Sequence, residues 1–78
     1  MKNENTYNGW TNWDTWNTYL WLSNTESSYH TLRDSVLAGD SVRAFRFLAE
    51  EEMEILGNPD NVDYTKVNWS EVHEAFSE

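Results

Sequence analysis

The chain has 78 residues, no cysteine, and 14 acidic side chains against five lysines and arginines, giving a formal charge of −9. That length makes one small domain, and the missing cysteine excludes disulfides and thiolate metal sites, so stability must come from a few large buried side chains. Such acidity disfavours direct binding to nucleic-acid phosphates or anionic membrane surfaces and suits a partner protein with a basic surface.

The polar segment 1–9 shows no periodicity and reads as a flexible arm, with Gly9 permitting a turn before Trp10. A first helix is expected over 12–22. Thr11 and Asp14 form a capping-box-like start, and Trp13, Trp16 and Leu20 share one face with Tyr19 at its edge. These tryptophans are expected in the core. Asp14, Asn17 and Thr18 lie away from that face, and Trp21 sits nearer to them than to the apolar stripe. Ser23 and Glu26 suggest a second box opening a helix over 25–38, striped by Tyr29, Leu32, Val36 and Leu37 and ended by Gly39. Asp40 is the expected cap of the longest helix, 41–56, whose inner stripe is Val42, Phe45, Ala49, Met53 and Leu56, widened by Phe47, Leu48 and Ile55. Gly57 and Pro59 end it. A turn-rich linker follows, in which Tyr64 and Val67 are expected to pack back. A short helix over 69–77 then buries Trp69, Val72 and Phe76. The fold class is therefore all-α: a small single-domain bundle of three main helices plus a short C-terminal helix.

The residues offer little chemistry. His30 and His73 lie on different helices near apolar edges, where histidine is usually packed and hydrogen-bonded, and no nucleophile stands out. Asp60 and Glu71 are spaced like the ends of a calcium loop, but Val62 and Tyr64 occupy ligand positions and Thr65 stands where the sharp turn needs glycine. We expect no catalytic residues, no metal and no cofactor. No stretch approaches the roughly 18–20 apolar residues of a membrane span, and MKNENTYNGW lacks an apolar signal-peptide core, so the expectation is a cytoplasmic protein.

Candidate contact residues come from charge and aromatics. Three basic residues face ten acidic ones in 40–78. Glu50, Glu51 and Glu54 share a helix side, and Asp60 and Asp63 follow, with Glu71, Glu74 and Glu78 on the next helix, so one continuous acidic surface is the expectation. Trp21, among polar helical neighbours, is the candidate aromatic anchor, because exposed tryptophan is enriched at binding hot spots.

The stretch YNGWTNWDTWNTYLWL, Tyr7 to Leu22, resembles the opening of a family of small uncharacterised proteins common in bacteriophages and other mobile elements. KVNWSEVHEAF, Lys66 to Phe76, is similar to the short closing helix of such proteins. The resemblance implies a setting in which small acidic proteins bind and block host factors, as anti-restriction and anti-CRISPR proteins do. We therefore expect a non-enzymatic inhibitor in the host cytoplasm. It would bind a nucleic-acid-binding host protein through Glu50, Glu51, Glu54, Asp60, Asp63 and Trp21, imitating phosphates with carboxylates. The alternative is a structural or regulatory interaction module whose partner is a second copy or host transcription or replication machinery.

Overall fold

The computed structural model describes residues 7–78. It contains α1 (Trp13–Asn24), α2 (Glu26–Leu37), α3 (Val42–Ile55), a 3-10 turn (Tyr64–Lys66) and α4 (Trp69–Ala75). Three main helices and a short fourth are the expected all-α architecture. Helix α1 packs against all three others and the 3-10 turn, while α3 lies between α2 and α4. Residues 1–6 of the expected arm lie outside the described residues. Residues 7–9 do not continue an arm. Asn8 and Gly9 take φ values of 50° and 88°, and Tyr7 and Trp10 exchange two backbone hydrogen bonds of 2.7 Å. Positive φ at both central positions makes an Asn-Gly turn of the hairpin type, which asparagine and glycine tolerate best. The turn lays the Tyr7 ring 5.0 Å from Trp16 and stacks Trp10 on Tyr19, also at 5.0 Å.

The helix boundaries follow from capping, with several changes of partner. The cap of α1 is Asn12, not Thr11: its Oδ1 accepts from the Thr15 backbone N–H at 2.8 Å and from the Thr15 hydroxyl at 2.6 Å. No Ser23–Glu26 box forms, because α1 runs on through Ser23 to Asn24 and α2 begins after the single residue Thr25. Ser41, not Asp40, caps α3 by accepting from the Ala44 N–H at 3.2 Å, and Asp40 instead accepts from the Ser35 hydroxyl at 2.7 Å. Gly39 and Gly57 hold φ of 87° and 85° just past α2 and α3, where the left-handed region closes a helix C-terminus.

Leu22, Leu32, Phe45, Ala49, Met53, Val62, Val67, Trp69, Val72 and Phe76 form the core. Phe76 is its hub, with ring centroids of Tyr19, Phe45 and Tyr29 at 5.1, 5.8 and 5.8 Å. Tyr64 and Val67 pack back as expected. Helix α1, however, is rotated relative to its apolar stripe. Its buried residues are Thr15, Asn17, Thr18 and Leu22, while Trp13 is 38% exposed and Trp16 lies half-buried under Tyr7. Of the three tryptophans expected in the core, only Trp69 is there.

The inward polar face is explained by what meets it. The Asn68 N–H donates to the Thr15 hydroxyl at 2.9 Å, and the Asn12 amide donates to the Lys66 carbonyl at 2.8 Å. Asn68 caps α4 through the Glu71 N–H at 3.2 Å and reaches Thr11 Oγ1 at 3.1 Å, and the Thr11 N–H donates to Glu71 at 3.1 Å. The caps of the first and last helices thus form one polar latch between segments more than 50 residues apart.

Candidate protein-binding face

Helix α3 buries Phe45, Ala49 and Met53 one turn apart. Its opposite side therefore faces solvent and carries Arg43, Phe47, Glu51, Glu54 and Ile55, with Glu50 half-buried beside them. Phe47 is 66% exposed and Ile55 75% exposed. Both were expected to widen the buried stripe. They point outward because α3 already has its inner face filled by α1, α2 and α4. Phe47, Glu50, Glu51, Glu54 and Ile55 together line a shallow open groove. A second shallow groove, lined by Ser41, Arg43, Ala44, Phe47 and Leu48, continues it along the same helix.

The three candidate glutamates of α3 are thus brought together, but they differ in freedom. Glu50 accepts from Arg46 Nε at 2.6 Å, and the Arg46 guanidinium also lies 5.4 Å from the Trp69 ring. Glu54 accepts from the Tyr64 hydroxyl at 2.6 Å. Burial, that hydrogen bond and the negative charges of Glu54 and Glu50 hold the Tyr64 phenol well above its ordinary range, so it stays a neutral donor. Glu51 stands between them on the exposed stripe.

The other candidates lie elsewhere. The Asp60 carboxylate accepts from Trp21 Nε1 at 3.0 Å and from the Asn17 amide at 2.8 Å, and these bonds hold its pKa below the usual carboxylate range. Trp21 is half-buried and packed on the core, so its indole fastens the loop after α3 to α1. Asp63 accepts from the Thr65 hydroxyl at 2.6 Å and the Thr65 N–H at 3.0 Å, which lower its pKa and start the 3-10 turn. Asp60 and Asp63 are thus hydrogen-bonded within the fold while still exposed, and Trp21 is half-buried. Glu71, Glu74 and Glu78 line a separate hollow beside Asn8, Gly9 and Trp10, so the acidic surface is divided into patches.

His73 packs edge-on against Phe45 at 5.1 Å, with Nε2 3.1 Å from the Asp40 carbonyl, while His30 lies 3.8 Å from Glu26 at the surface. No group of three or more His, Asp or Glu among the described residues is arranged to hold a metal ion. No helix among them is long and apolar enough to cross a membrane. Sequence reasoning missed Phe47 and Ile55 as surface residues. Their signal was present in the interleaving Phe47–Glu51–Ile55, since one carboxylate between two apolar residues at four-residue spacing marks a mixed outer face.

No curated protein and no solved structure matches this chain. A family model described as "Family of unknown function (DUF7249)" matches residues 3–78, and the chain belongs to that family.

Proposed function

We propose that this chain is a non-enzymatic, acidic phage-type protein that binds and inhibits a nucleic-acid-binding factor of the host cytoplasm, in the manner of anti-restriction or anti-CRISPR proteins. The observation that carries this reading is the outer face of α3, where exposed Phe47 and Ile55 alternate with Glu50, Glu51 and Glu54. Carboxylates of this kind steer a basic groove into contact and set its orientation, while apolar anchors slow release. The phage setting rests on the resemblance of Tyr7–Leu22 and on the strong net acidity. The acidic patch would occupy the basic surface on which the factor normally holds phosphates.

The test is capture from host-cell lysate on immobilised protein at low and high salt. A basic nucleic-acid-binding protein should be retained at low salt, released at high salt and displaced by added DNA. Glu50→Lys, Glu51→Lys and Glu54→Lys together should abolish its capture. If the reversed protein retained every captured partner, the acidic-mimic mechanism would be wrong.

A further inference from the structure

We infer that the outer face of α3 pairs with the same face of a second copy of this chain, antiparallel across a two-fold axis at Phe47. Arg43, Phe47, Glu51 and Ile55 recur every four residues and are all exposed, so they form one slanted ridge along the helix, of which Arg43, Phe47 and Glu51 make the contact and Ile55 lies beyond the start of the partner's α3. In a two-fold contact, any residue that meets another is met by it in return. With the axis at Phe47, Arg43 and Glu51 lie one turn to either side, so Arg43 comes opposite the partner's Glu51 twice in the dimer. Phe47 then meets the partner's Phe47 at the centre, where aromatic side chains contribute most to binding.

Other arrangements lose this match. Moving the axis midway between Phe47 and Glu51 sets Arg43 against an isoleucine and Phe47 against a carboxylate. A parallel in-register pairing sets arginine against arginine and glutamate against glutamate. Glu50 and Glu54 are already bonded to Arg46 and Tyr64 of their own copy and remain at the flanks.

A 14-residue helix is about 21 Å long, so the contact is at the small end of protein interfaces. The chain's charge of −9 opposes pairing, but charges more than about 8 Å apart are largely screened at physiological salt. Self-association does not depend on the basic host partner proposed above, although the two would compete for one face. It is measured on the purified chain alone, so either reading can fail while the other stands.

Sedimentation equilibrium at physiological salt, from about 1 to 500 µM, is the test. The mass should rise from the 9.2 kDa monomer to twice that value as concentration increases. Phe47→Asp, Arg43→Glu and Glu51→Arg should each weaken the dimer by about tenfold or more, because two-fold symmetry counts each change twice. The double variant Arg43→Glu/Glu51→Arg exchanges the charges and should return to within about threefold of the parent. A monomer throughout the range, a dimer indifferent to Phe47→Asp, or a double variant no tighter than its singles would each overturn the proposal. Circular dichroism checks that each variant keeps its helices.

Discussion

Asn12 does two jobs with one side chain, capping α1 through its oxygen and holding the Lys66 carbonyl through its nitrogen. Asn12→Ala removes both, and urea unfolding should show a loss of about 1–2 kcal/mol. Thr18 is the opposite case. Its hydroxyl is fully buried with no protein group in hydrogen-bonding position, which makes it costly to desolvate. Thr18→Val keeps the shape and should raise stability by about 1 kcal/mol, and a drop would show that the hydroxyl has a partner after all. The carboxylates of Asp60 and Asp63 give a pH signature. Both have depressed pKa values in the folded chain. Their contribution is complete above the unfolded carboxylate value of about 3.9 and is lost as pH falls below it toward the folded values. Thermal unfolding midpoints should therefore fall below about pH 4, and they should fall less steeply in Asp60→Asn, which keeps an oxygen acceptor but no titrating charge.

At the scale of the helices, how far the pattern could be read depended on what covers each one. Helix α3 was legible on its inner side because its buried residues Phe45, Ala49 and Met53 are apolar and repeat every four positions. Helix α1 was not, because it buries Thr15, Asn17 and Thr18, whose polar atoms Asn68 and Asp60 partly satisfy from far along the chain. Periodicity counts apolar side chains, and it cannot see a threonine buried by a partner 53 residues away. The caps at Asn12 and Ser41 fell one residue from the expected positions for a related reason, since neighbouring Thr11 and Asp40 have equally suitable side chains and were claimed by other partners. The two aromatics Phe76 and Phe47 measure the resulting contrast. Phe76→Ala empties the centre of the core and should cost about 3–5 kcal/mol in denaturant unfolding. Phe47→Ala lies on the exposed face of α3 and should change stability by no more than about 0.5 kcal/mol.

Over the whole molecule, the segments that carry the family resemblance and the face proposed to bind are different parts of the fold. Tyr7–Leu22 and Lys66–Phe76 meet each other, joined by the Asn12, Thr15 and Asn68 latch and by the aromatic contacts of Trp10, Tyr19 and Phe76. Most of the tryptophan-rich opening serves folding: it forms a turn, caps a helix and fastens the loop at Asp60, while Trp13 stays 38% exposed. The candidate site was legible in the sequence as far as Glu50, Glu51 and Glu54, whose helical spacing groups them. The bond between Asp60 and Trp21 was not legible, because a hydrogen bond across 39 positions leaves no local pattern. Among the described residues the outer face of α3 carries the two most exposed large apolar side chains, Phe47 and Ile55, while Leu37, Tyr7 and Trp13 are exposed elsewhere. The most direct measurement compares partner capture by three variants that keep their helices: Phe47→Asp, Ile55→Asp and Trp21→Phe. The account predicts that both α3 variants lose the partner bound by the parent chain while Trp21→Phe keeps it. Capture that survives at α3 and fails at Trp21 would contradict it.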